Sequence, residues 1–115
     1  MKENAKNTQK RFEYRINSWK NTYTVRIERH NYMNGRLAIN LVCVPANEPF
    51  GVITVNIDYP LSRQRNDLAF VDTNNFSDIE SWLKDNKLAV PTGYYGKSGY
   101  CCYPEYKFDL SKLYG

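Results

Sequence analysis

The residues best equipped for chemistry crowd into one stretch, Pro91 to Phe108 (PTGYYGKSGYCCYPEYKF), where glycines at every third position are interleaved with five tyrosines, two adjacent cysteines and two prolines. Within it, Gly96-Lys97-Ser98 has the tail of a phosphate-binding loop. Such a loop needs another glycine five residues before Gly96, and a helix after the serine whose N-terminus meets the phosphate. The chain has Pro91 at the first of these positions, and Gly99, β-forming residues and Pro104 after the serine. The triplet is therefore expected to be a glycine-containing turn joining two extended segments.

Cys43, Cys101, Cys102 and His30 carry the atoms of a three-thiolate, one-imidazole zinc site. Their spacing argues against it, because adjacent cysteines in a strand point to opposite faces and at most one could join Cys43. An odd count without a Cys-x-x-Cys pair is also a poor disulfide framework, so free thiols are expected, one of the adjacent pair buried and one exposed. Among the acids from Asp58 to Asp109, only Asp78 and Glu80 are closely spaced on a predicted rigid element, and capping of a helix accounts for them. No nucleophile elbow, zincin helix or dinucleotide fingerprint occurs. A non-enzymatic protein with no cofactor or metal is the expectation.

Tyrosine supplies stiff contact area with a polar tip, which favours it at binding surfaces and lets it stack on bases. The candidate partner-binding set is Tyr94, Tyr95, Lys97, Tyr100 and Tyr103, with a protein as partner. Strand alternation places Tyr103 and Cys101 on one face and Tyr100, Cys102 and Pro104 on the other, so only part of the set can enter a core. The alternative is nucleic-acid binding by the basic end of the chain. Residues 1–36 hold nine Lys/Arg against three Glu, whereas residues 37–115 hold seven against nine acids. Lys10, Arg11, Arg15, Lys20, Arg26 and Arg29 would contact phosphates while exposed tyrosines stack on bases. A solubilising tail and an exposed strand face give the same count.

The elements that must position these residues can be read from periodicity. At 115 residues the chain is expected to be one domain, since two would leave neither enough interior. An apolar share of 42% beside 24% charged residues is ordinary for a soluble protein, and no apolar run approaches a membrane span. The basic start MKENAKNTQK leads into no hydrophobic run, so a cytoplasmic protein without a secretory signal is expected. Residues 1–10 are expected to be a disordered basic arm and residues 11–115 a single α+β domain.

Phe12, Tyr14 and Ile16 alternate with polar residues, as do Tyr23, Val25 and Ile27, giving two half-buried strands. Asn34-Gly35 then marks a hairpin. A three-residue loop, Met33-Asn34-Gly35, pairs Ile27 with Leu41 and Val25 with Cys43 and so keeps one apolar face continuous, which a two-residue loop does not. His30 then points away from the core. Pro45 to Pro49 is read as a loop, Val52 to Ile57 as a strand with Ile53, Val55 and Ile57 on one face, and Leu68 to Val71 as a short strand. Ser77 and Glu80 form a capping box for a helix of about three turns, with Ile79, Trp82 and Leu83 on its packed face and Phe76 as a staple. The expected fold is α+β: an antiparallel meander of four to six strands with one short helix on one face.

Several of these pieces recur in order in a known family. They are Asn34-Gly35-Arg36-Leu37-Ala38, Glu48-Pro49-Phe50 leading into Thr54-Val55-Asn56-Ile57, then Pro91-Thr92-Gly93, Ser98-Gly99-Tyr100 and Tyr103-Pro104. From Tyr23 to Phe108 the chain thereby resembles an uncharacterised family of small bacterial proteins, a domain of unknown function met mainly on phages, plasmids and conjugative elements. The resemblance implies an accessory protein of mobile DNA and supplies no catalytic residues. The expected function is an interaction protein binding a macromolecular partner through its Tyr-rich C-terminal surface, inhibition of a host defence system being one version.

Overall fold

The computed structural model describes residues 13–18 and 21–113. The expected arm over residues 1–10 lies outside them, as do Phe12, Trp19, Lys20 and Tyr114. The alternating segments form β1 (Glu13–Ser18), β2 (Asn21–Asn31) and β3 (Leu37–Cys43), joined in order with β4 (Glu48–Val52) into a four-stranded antiparallel sheet. Val25 pairs with Cys43 and Ile27 with Leu41, the register that keeps the apolar face continuous. Gly35 takes φ of +87°, open to glycine without steric cost, and its N–H donates to Tyr32 O at 2.8 Å. His30 is exposed on the outer face, where Nε2 lies 3.0 Å from Glu28 Oε1.

The strand expected from Val52 to Ile57 is instead divided. β4 begins at Glu48, inside the expected loop, and runs through Pro49, which an edge strand tolerates because the missing N–H faces no neighbour. A register shift at Leu41/Val42 accommodates it. Ile53, wholly buried, then hands the chain to a second sheet: its N–H donates to Ile39 O at 3.0 Å and its carbonyl accepts from Asp72 N–H at 2.8 Å. Thr54–Val55 is the short strand β5. The predicted face of Ile53, Val55 and Ile57 is broken there. Thr54 is buried instead, with Oγ1 accepting the Ile39 N–H at 3.2 Å and lying 2.9 Å from the Tyr32 hydroxyl.

β5, β6 (Leu68–Val71), β8 (Cys101–Phe108) and β7 (Ala89–Ser98) make the second antiparallel sheet in that spatial order. The class is α+β, as expected, with its strands shared between two four-stranded sheets and one short α-helix among the described residues. One hydrophobic cluster unites Val25, Ile27, Ile39 and Leu41 with Val71, Phe108 and the helix residues Ile79 and Leu83. Each such side chain contributes about 1.5–3 kcal/mol relative to exposure.

The helix α1 (Ile79–Asp85) has seven residues, about two turns rather than three, and the expected capping box is absent. Asp78, not Ser77, is the N-cap, and no side chain caps it. Glu80 Oε1 instead accepts the Tyr106 hydroxyl at 2.5 Å, which ties α1 to β8. Ile79 and Leu83 are buried, but Trp82 is half-buried, its Nε1–H donating to Arg15 O at 2.6 Å across to β1. Phe76, the expected staple, stacks on Phe50 with ring centroids 6.4 Å apart.

Candidate functional site

The Tyr-rich stretch folds into the hairpin of β7 and β8. Ser98 pairs with Cys101 and Lys97 with Cys102, so Gly96-Lys97-Ser98 ends a strand and is not the turn expected from sequence. The turn is Gly99-Tyr100, where Gly99 takes the positive φ of 61° that a two-residue hairpin loop requires at its first position. The next element is the strand β8, so no helix N-terminus stands after Ser98 to receive a phosphate.

The hairpin distributes the five candidate residues over different environments. Tyr100 projects fully from the loop, and Tyr95 is 55% exposed on the face that also carries Lys97 and Cys102. Tyr94 and Tyr103 belong to the opposite face and are half-buried. Tyr94 stacks on Phe70, meets Tyr59 at 6.2 Å, and donates its hydroxyl to Pro60 O at 3.1 Å, holding the segment before β6 against the sheet. Tyr103 sits opposite Gly96, and the neighbouring Cys101 side chain raises its phenol above the ordinary range by hydrogen bonding.

Gly96 explains how that packing is possible. A Cβ there would stand 2.7 Å from the Phe70 ring and 2.8 Å from Ile57 Cδ1. On the same face lies Glu105, wholly buried, whose carboxylate sequence reading left without a role. It accepts the Ser62 N–H at 2.8 Å, the Ser62 hydroxyl at 2.5 Å and the Thr92 hydroxyl at 2.7 Å. These three donors make it a clamp between β8, β7 and the loop around Ser62. A burial pattern within an extended segment gives no sign of such partners, because Ser62 lies 43 residues away.

Of the basic alternative set, Arg15, Arg26 and Arg29 are among the described residues. Lys10, Arg11 and Lys20 lie outside the described residues. Arg15 and Arg26 share the outer face of the first sheet, while Arg29 is on the other face opposite Ile39. Arg26 is already engaged: Nε and Nη2 donate to Glu28 Oε2 at 2.9 and 2.6 Å, and Nη1 to Asn47 Oδ1 at 3.2 Å.

A feature missed in the sequence is a groove of about 800 Å³ between the open end of the first sheet and α1. Tyr23, Phe50, Phe76 and Trp82 give it an aromatic lining, with Tyr23 and Phe50 edge to face at 5.5 Å. Glu48, Asp78 and Asp85 line it too, all exposed. The contributing residues come from five separate segments, which no local pattern links. The sequence signals were the exposed acids beside Phe50 and Trp82, each explicable as a solvated position.

Cys43, Cys101 and Cys102 are free thiols, Cys102 exposed and the others half-buried. Among the described residues no group of three His, Cys, Asp or Glu could hold a metal ion, and no helix is long and apolar enough to cross a membrane. What fold and site define is a small two-sheet α+β domain whose distinctive surfaces are an exposed aromatic hairpin and an aromatic groove. The chain belongs to the family described as Domain of unknown function (DUF4313), whose model matches residues 24–115. Membership in an uncharacterised family is thus established, and the family's description carries no activity. No curated protein and no solved structure matches the chain.

Proposed function

We propose that this protein is a non-enzymatic interaction protein that engages a protein partner through the solvent side of the β7–β8 hairpin, with Tyr95, Lys97 and Tyr100 as its contact residues. The observation that carries the reading is the exposure of Tyr100 and Tyr95 on an edge-strand hairpin. Large aromatic side chains left in water offer contact area without the rotamer entropy of longer chains. Tyr94 and Tyr103 support the hairpin from its opposite face. The regular segment Tyr95–Ser98 is followed by a tight loop and preceded by a register shift between Pro91 and Tyr95, so the surface is short and locally defined. The resemblance described above adds a setting, a phage or other mobile element, in which the partner is a host or element-encoded macromolecule such as a defence component.

The test is affinity capture from host lysate with the wild-type protein and a Tyr95→Ala/Tyr100→Ala variant shown by circular dichroism to be folded. A partner held by the wild type and lost with the variant supports the reading. An identical set of captured proteins removes it.

A further inference from the structure

The groove beside α1 combines two chemistries that point to the same kind of occupant. Its aromatic rings, Tyr23, Phe50, Phe76 and Trp82, are all half-buried, so each presents part of its surface to the opening. The faces of such rings attract cations as well as apolar groups. Glu48, Asp78 and Asp85 stand around them, and none of the three side chains makes a hydrogen bond or ion pair among the described residues. Among the described residues no Lys or Arg lines the groove, although the chain as a whole has a net charge of +4. The described lining thus sets three carboxylates beside an aromatic floor on a protein of net positive charge.

We propose that this groove is a docking site for a cationic segment of a partner protein, an extended peptide with an apolar or aromatic anchor flanked by Lys or Arg. The anchor packs among Phe50, Phe76 and Trp82, while the flanking cations face Glu48, Asp78 and Asp85. Opposite charge at the rim speeds encounter and rejects acidic partners, and the aromatic floor supplies the desolvated contact that holds the complex. The same three carboxylates repel a phosphate backbone from this groove. The site is separate from the β7–β8 hairpin, so its test stands independently of that surface.

The probe is a fluorescein-labelled twelve-residue peptide of Lys and Arg around one central Phe, titrated by anisotropy at about 50 mM and about 200 mM salt. Its companion is a peptide with each cation replaced by Glu. The basic peptide is expected to bind and to weaken with salt, and to lose at least about tenfold in affinity with the Glu48→Gln/Asp78→Asn/Asp85→Asn variant. A Glu13→Gln/Asp58→Asn variant, neutralised outside the groove, is expected to bind as the wild type does. In a Trp19→Phe background, where Trp82 is the remaining tryptophan, bound peptide is expected to change its emission. Binding equal in the groove-neutralised and wild-type proteins, equal binding of the acidic peptide, or no binding of the basic peptide at the lower salt each overturns the proposal. Thermal unfolding of the groove variant at the wild-type midpoint establishes that a loss of binding is not a loss of fold.

Discussion

Glu105 is held by three donors in a place that water does not reach. Glu105→Gln replaces one acceptor oxygen with a donor group facing another donor, and is expected to destabilise by about 1–3 kcal/mol in urea unfolding. Thr92→Val, which removes one hydroxyl bond and leaves the carboxylate two donors, is expected to cost about 1 kcal/mol. Asp67 acts differently. Arg65 donates to both of its oxygens at 2.8 Å, and that hydrogen bonding, with the guanidinium charge, lowers its carboxyl below the usual 3.8. A lowered folded value means that the contribution is complete above the unfolded pKa and is lost as pH falls through the folded one. Stability is therefore expected to fall on acidification below about pH 4, with a shallower acid limb in Asp67→Asn. Urea midpoints between pH 2 and 6 check it.

Among the elements, β7 shows how a glycine decides packing. Gly96→Ala drives a methyl group into Phe70 and Ile57, and is expected to cost about 1–3 kcal/mol through overpacking. Thermal unfolding measures the loss, and the Tyr59–Tyr94 contact should loosen with it, because Phe70 stacks against Tyr94. Gly99→Ala meets no neighbouring atom, so its penalty should come from the positive φ alone. The helix carries the opposite lesson. Ser77 and Glu80 have the spacing of a capping box, yet Glu80 reaches Tyr106 because the sheet offers a hydroxyl from a residue 26 positions away. Burial and that carboxylate together hold the Tyr106 phenol well above its ordinary range. Local pattern was sufficient for β2 and β3, whose hairpin register follows from one apolar face. It was insufficient for Val52 to Ile57, where the chain changes sheets at Ile53 and the two halves answer to different neighbours.

At the scale of the molecule, the two sheets and α1 share one core, so they are expected to unfold together, with near- and far-ultraviolet circular dichroism giving coincident transitions. Tyr95 and Tyr100 stand outside that core. The Tyr95→Ala/Tyr100→Ala variant is accordingly expected to keep the wild-type melting temperature within about four degrees while losing partner binding, since exposed positions usually shift stability by less than about 0.5 kcal/mol each.

The sequence by itself determined the α+β class, the hairpin register of β2 and β3, the short strand at Leu68–Val71, the presence of a helix and the division of the β8 residues by strand alternation. All of these depend on periodicity or turn chemistry within a few residues of one another, which is why they are legible. Tertiary structure alone decided that the strands form two sheets, that Gly96 must lack a side chain, that Tyr94 supports the hairpin from its covered face, and that Glu105 is a buried clamp. It also decided that Phe50, Phe76 and Trp82 meet in one groove beside unpaired carboxylates. Each of these is a contact between residues distant in the chain, and the identity of such a partner is fixed by the packing of the whole fold.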